Sequence, residues 1–248
     1  VTVRPALRRV VVGKAAKPET TTPPLFGANW ARTWRLVPSR FPPVSLFERV
    51  ADPRDIEVAM AIEMRVNPRV RQEIGDVSLV PMAERVSGPG STPVMAAFCH
   101  LNPEGSRFSD GSWGVYYAAR SIDTAVAEVA HHRAIFLART KEPPIEIDLR
   151  SYVGHVRAEL HDVREGAAWA GVHDPDSYAA SSAFARGLRA GGSWGIAYRS
   201  VRHAGGECIA LFRPKAVSLP VVQGAHVALH WNGTKIDTWY EKSGLNAL

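Results

Sequence analysis

The stretch RFSDGSWGVYYAARSIDTAVAEVAHHR, residues 107–133, changes its local pattern twice, and its reading decides the fold. Residues 107–114 are basic and Gly-rich, which marks a loop. Val115 to Ala119 read as a short strand, so the neighbouring Tyr116 and Tyr117 point to opposite faces and only one can line a cleft. Ser121 is a suitable N-cap, because its hydroxyl can accept from a free backbone N–H of a first helical turn. Asp123 falls in that turn, where the helix dipole favours a negative charge. In the helix that follows, Ile122, Ala125, Val126, Val129 and Phe136 are expected on one buried face, with Thr124, Glu128 and His131 off it.

Upstream, TWRLVPSRFPP holds a short strand with Trp34, Arg35 and Leu36, ended by its prolines. Asp52-Pro53 reads as a helix start, with Ile56, Met60 and Ile62 giving part of an apolar face to about Val66. A second short helix is expected to reach Ile74. SGPGSTP (87–93) reads as a loop, and Val94 to Cys99 as a buried strand leading to the central stretch.

Downstream, IEIDL (145–149) alternates like a strand. Residues 177–189 are helix-like and stop at Gly191-Gly192. Five short strands are then expected: GIAY, ECIALF, VSLPVV, HVALH and IDTWY. Helices and strands do not alternate regularly, so the expected class is α+β rather than a doubly wound parallel sheet. Residues 1–25 read as a flexible basic arm and 26–248 as one domain.

Composition narrows the function classes. The chain has 248 residues, 46% hydrophobic and 22% charged, as expected of a soluble globular protein. No apolar run reaches the roughly 20 residues needed to span a bilayer, and the basic start lacks the apolar segment of a signal peptide. Cys99 and Cys208 lie in apolar runs and read as buried thiols of a cytoplasmic protein. Net charge is +6, and only six of the 30 basic residues are lysine. Arginine suits fork-like capture of phosphate or carboxylate, and the charges are scattered rather than blocked. An anionic ligand or an acidic protein partner therefore fits at least as well as nucleic acid, for which no helix-turn-helix or aromatic single-strand platform is evident.

Phosphate-loop, dinucleotide-fold and zinc signatures are absent. Glu128 and His131 form one E-x-x-H, but a di-metal site of that kind needs a second copy, so no metal is expected. Four segments remain that make a site together: TWRLV around Arg35, SRF around Arg107, VYYAA around Tyr117 with Glu128 eleven residues on, and GSWGIAYRSVRHAGGECIALFRP around Ser200.

These segments resemble the RES domain, the toxin half of Xre–RES toxin–antitoxin modules. The resemblance covers about Trp30 to Pro214 and is most specific in 107–133 and 191–214. It places Arg35 and Arg107 on the family's two arginine positions, Tyr117 on its strand tyrosine, Glu128 on its helix glutamate and Ser200 on its serine. What it implies is an ADP-ribosyltransferase-like split β-sheet flanked by helices, and NAD+ consumed as a substrate.

In that role Glu128 would stabilise an oxocarbenium-like centre. Arg35 and Arg107 would hold pyrophosphate or ribose. Tyr117 would stack on nicotinamide, and Ser200 would orient the nicotinamide amide or a ribose hydroxyl. The implied activity is transfer of ADP-ribose to a cellular protein, for instance a nucleotide-synthesis enzyme such as phosphoribosyl pyrophosphate synthetase. NAD+ phosphorolysis or hydrolysis is the alternative, and a nucleic-acid-binding regulator the rival from another class. The implied partner is an Xre-type helix-turn-helix antitoxin that occludes the site.

Overall fold

The computed structural model describes residues 22–40, 47–50, 52–66 and 75–242. The second short helix expected before Ile74, and residues 1–21 of the expected arm, lie outside the described residues.

Among the described residues, seven strands and four α-helices follow in the order β1 (Leu25–Pro38), α1 (Ile56–Val66), α2 (Thr92–Cys99), β2 (Tyr116–Ala119), α3 (Ile122–Thr140), β3 (Ile145–Asp162), α4 (Ala179–Ala190), β4 (Gly195–Arg199), β5 (Glu207–Leu211), β6 (Val217–Trp231) and β7 (Ile236–Lys242). The class is α+β. The sheet runs β1-β2-β5-β4-β3-β6-β7, and β1 also pairs with β3, so five strands close into a ring. The ring is uneven. β1 and β3 share a long antiparallel ladder from Leu25↔His161 to Pro38↔Leu149. β1 meets β2 only at Trp34↔Ala119, and β3 meets β4 only at His161↔Ile196 and Asp162↔Ala197. A long-stranded half (β1, β3, β6, β7) is thus split from a short-stranded half (β2, β5, β4) along two weakly paired seams.

The buried strand residues divide between two apolar cores, following the period-two alternation of strands. One core gathers Tyr116, Val156 and Ile209 beneath α1 and α2, with Ile56, Met60, Met95 and Phe98 inserted from those helices. The other gathers Leu149, Ile196, Tyr198 and Ala210 beneath α3 and α4, and Tyr117 packs against it. The two adjacent tyrosines therefore serve opposite faces, as their spacing requires.

Several expectations need correction. Residues 94–99 form not a strand but the end of helix α2, which starts with Pro93 at its first turn. A short apolar run is compatible with either structure, and Pro in a first helical turn costs nothing because its missing N–H has no partner there. Phe136 is 48% exposed and Leu137 takes its place in the core. Leu137 lies eleven residues after Val126, about three full turns, whereas Phe136 falls well off that line. Thr124, expected off the buried face, is buried. Ile62 is exposed, while Ile56 and Met60, one turn apart, are buried.

VSLPVV and HVALH are one strand, β6, broken in register opposite Ser151 and Gly154. Its Pro220 falls in one of those irregularities, where proline is tolerated. IEIDL is only the start of the 18-residue β3. Leu25 opens β1, and just before it the Pro24 carbonyl accepts from the Asp162 N–H. Both cysteines are free and buried. Among the described residues no helix is long and apolar enough to cross a membrane.

Candidate functional site

The cleft opens where β1 leaves β2. Trp34, Arg35 and Leu36 form one wall, Tyr117 to Ala119 the other, and Ala125, Glu128 and Val129 of α3 the third; Tyr198 and Cys208 also line it. Its empty space, open mouth included, is about 360 Å³. Residues far apart in sequence meet here because a single pairing, Trp34↔Ala119, is all that joins β1 to β2.

Glu128 reaches the cleft from a well-anchored helix. Ser121 caps α3 by accepting from the Thr124 N–H, and Asp123 lies in the first turn. The Ser200 hydroxyl donates to Glu128 Oε1 at 2.6 Å. The same hydroxyl oxygen accepts the backbone N–H groups of Arg202 (3.1 Å) and His203 (3.0 Å). Ser200 is buried, and its hydroxyl already has one acceptor and two donors. It is saturated by protein partners.

Arg35 is the opposite case. Its Nη1 donates to the Tyr117 carbonyl at 3.2 Å, and its guanidinium carbon lies 5.0 Å from the centre of the Tyr116 ring. Its Nε is buried and donates to nothing. Among the described residues no carboxylate forms an ion pair with Arg35. Burial pushes its pKa down, while the surrounding Tyr116, Tyr117 and Tyr152 hydroxyls act in the other direction. A guanidinium so placed stays charged, and an unpaired buried charge is costly.

Arg107 stands behind the cleft rather than in its lining. Its Nη1 donates to the carbonyls of Val172 (3.0 Å) and Asp174 (2.9 Å), and its guanidinium sits over the Tyr178 ring at 4.8 Å. Arg202 donates to the Pro175 carbonyl in the same segment. Two arginines thus hold residues 172–175 against the body by main-chain carbonyls.

Tyr117 presents its ring to the cleft, and its hydroxyl is spoken for. That oxygen accepts from the Phe108 N–H at 2.9 Å and pairs with Ser106 Oγ at 2.8 Å. Burial pushes its pKa up to about 12, against the pull of those two partners and of Arg107. The loop carrying Arg107 is thereby tied to β2. Gly114 lets the end of that loop pass against α2: a Cβ there would meet the Ala97 carbonyl oxygen at 2.4 Å.

The structure therefore brings Arg35, Tyr117, Glu128 and Ser200 together and leaves Arg107 one layer out. It also adds Tyr198 and Cys208. Tyr198 packs edge-on to Phe108 at 4.9 Å, and burial, then the nearby Cys208 and Glu128, push its hydroxyl well above the ordinary tyrosine range. Tyr198 lies in the quoted GIAYRS run, but nothing in that run alone distinguishes a cleft tyrosine from a core one. Among the described residues no three His, Cys, Asp or Glu side chains group as metal donors.

The RES domain family matches residues 82–232 of the chain. This protein belongs to the RES-domain family. The match includes Arg107, Tyr117, Glu128 and Ser200 and continues through β6, further than the resemblance that ended near Pro214. Arg35 precedes it, so its place in a RES site rests on the cleft geometry. The uncharacterized protein y4oC of Sinorhizobium fredii (strain NBRC 101917 / NGR234) is 33% identical over 214 residues, covering 84% of this chain and 86% of that protein. A chain in the crystal structure of the M. tuberculosis MbcT–MbcA toxin–antitoxin complex aligns with 88% of this chain and 87% of its own, at 10% identity and a TM-score of 0.42.

Proposed function

We propose that this RES-domain protein is a toxin that cleaves NAD+ at the nicotinamide–ribose bond and passes ADP-ribose to a cellular protein. The observation that carries the reading is the pairing, in one small cleft, of a half-buried guanidinium without an acid partner (Arg35) with a carboxylate held in place by a serine (Glu128 by Ser200).

Breaking the bond sends its electron pair to nicotinamide, which leaves neutral, and positive charge develops on the ribose. Glu128 is the group suited to meet that charge. Arg35 suits a phosphate or ribose oxygen, which would satisfy its idle Nε. The Tyr117 ring suits the cationic nicotinamide face. Because the Ser200 hydroxyl is fully engaged, its part is to fix Glu128 rather than to touch the nicotinamide amide. The cleft is too small to enclose all of NAD+, so the nicotinamide end would enter it and the adenosine half would lie outside the mouth.

An enzyme of this kind harms its own cell unless it is blocked. The matching partner is an Xre-type antitoxin that fills the cleft and offers a carboxylate, from Asp, Glu or a chain terminus, to Arg35. Such a complex is expected to bury Glu128 and Tyr117 and to exclude NAD+.

The test is nicotinamide release from NAD+ by the purified protein, with buffer alone, with inorganic phosphate and with cell lysate. Release with label transferred to a lysate protein is the expected result. Release that depends on phosphate, or that proceeds in buffer alone, replaces the protein acceptor by phosphate or water. No release in any arm contradicts the reading.

A further inference from the structure

Helix α3 offers the loop between β4 and β5 two polar side chains, not one. Glu128 is gripped by Ser200. One turn earlier, on the same side of the helix, Thr124 Oγ1 lies 2.8 Å from His203 Nδ1. Thr124 is 1% exposed, and its hydroxyl also lies 2.9 Å from the capping Ser121 Oγ. The loop is built to close on these contacts. The Ser200 N–H donates to the Gly206 carbonyl, the Gly206 N–H donates to the His203 carbonyl, and the His203 N–H donates to Ser200 Oγ. At Gly206 any side chain would collide with Thr124, since a Cβ would stand 2.7 Å from both Oγ1 and Cγ2. The loop backbone therefore lies directly on Thr124, and the His203 ring is locked to it.

We infer that Thr124 and His203 are positioning residues, a second clasp that fixes the 200–206 loop so that Ser200 holds the Glu128 carboxylate in register. Neither residue lines the cleft. Both act through the loop: Thr124 fixes His203, the His203 N–H fixes Ser200 Oγ, and Ser200 Oγ fixes Glu128 Oε1. The hydroxyl at position 124 is itself buried and needs a partner, which the half-buried His203 ring nitrogen supplies. The small residue at 206 is required because the two backbones meet there.

This inference rests on the NAD+-cleaving reading for its consequence but not for its geometry, and two measurements keep them apart. The first is steady-state nicotinamide release by the full chain. Thr124→Val keeps the shape and removes the hydroxyl, and it is expected to lower kcat by about tenfold or more with KM for NAD+ little changed, the signature of a misplaced catalytic group. Thr124→Ser should restore most of the loss. His203→Ala should resemble Thr124→Val, His203→Asn should recover part of it by offering a polar atom where Nδ1 stood, and the double variant Thr124→Val/His203→Ala should be no worse than either single one.

The second measurement needs no substrate: amide hydrogen exchange at Arg202 and His203, the two N–H donors to Ser200, is expected to be several-fold faster in Thr124→Val and unchanged in Thr124→Ser. Wild-type kcat and unchanged exchange in Thr124→Val would overturn the inference, as would equal loss in Thr124→Ser. If wild-type protein releases no nicotinamide, the proposed function fails, and the exchange comparison still decides whether Thr124 holds the loop.

Discussion

Arg35 and Arg107 occupy equivalent positions in the resemblance and opposite situations in the molecule. Arg107 spends Nη1 on two carbonyls and stacks on Tyr178, so its hydrogen bonds close a loop onto the body. Arg35 has one carbonyl, an aromatic ring and a buried Nε with no acceptor. The first arginine is consumed by folding; the second is kept waiting. Two arginines in similar basic contexts cannot be told apart by residue type, because the difference lies in what the other chain segments bring to each.

The largest expected effect concerns the carboxylate that lines the cleft with Arg35. Glu128→Gln keeps the size and the contact with Ser200 but removes the charge. Nicotinamide release should fall by roughly a hundredfold or more with the fold intact, and near-normal release by a folded variant would remove Glu128 from the chemistry.

The comparison itself is sharpened by substituting both arginines in parallel. Arg35→Ala should weaken NAD+ binding by about ten- to a hundredfold, the loss of a charge-assisted contact of about 1.5–3 kcal/mol. Arg107→Ala should also weaken it, but less, and through the loop. Thermal unfolding should show the reverse order. Arg107→Met strips two carbonyls of their donor and is expected to lower Tm by about 5 °C, given about 2 kcal/mol at this chain length. Arg35→Met removes a half-buried charge that has one carbonyl and no acid partner, and should leave Tm unchanged or raised. Equal Tm losses at both positions would erase the distinction.

Smaller effects follow from Tyr117 and the cysteines. Tyr117→Phe removes the acceptor of the Phe108 N–H and should cost about 1–2 kcal/mol of stability, while Tyr117→Ala also loses the ring and should damage NAD+ binding more. Equal damage to binding from both would assign the function to the hydroxyl. Burial pushes the Cys99 thiol up to about 12 and the Cys208 thiol further still. A raised thiol pKa leaves little thiolate at neutral pH, so both should resist a thiol-titrating reagent in the native protein and react on unfolding. Rapid native labelling of Cys208 would mean that the cleft floor opens.

Much of the local structure was legible because it is encoded locally. Ser121 caps α3 as its chemistry suggests, and β2, β4, β5 and α4 fall where the apolar runs and the Gly191-Gly192 stop place them. What failed depends on distant neighbours. Residues 94–99 became helical because α2 packs under the sheet through Val94, Met95 and Phe98. Phe136 left the core because Leu137, three turns after Val126, takes the inward position, and Phe136 falls well off that line. β3 and β6 proved long because they pair with each other across bulges that short windows read as breaks. In the site, Glu128 and Ser200 were nameable from their segments, but the bond between them spans 72 residues. Tyr198 and the Thr124–His203 contact have no sequence signature for the same reason.

Binding and chemistry are separated most directly by titrating NAD+ into the Glu128→Gln protein, where the ligand survives, and into Glu128→Gln/Arg35→Ala. The arrangement of the cleft predicts measurable binding to the first protein and a loss of about tenfold or more in the second, with nicotinamide competing weakly in both. Absence of binding to a folded Glu128→Gln protein, or equal affinity with and without Arg35, would contradict the assignment of this cleft to NAD+.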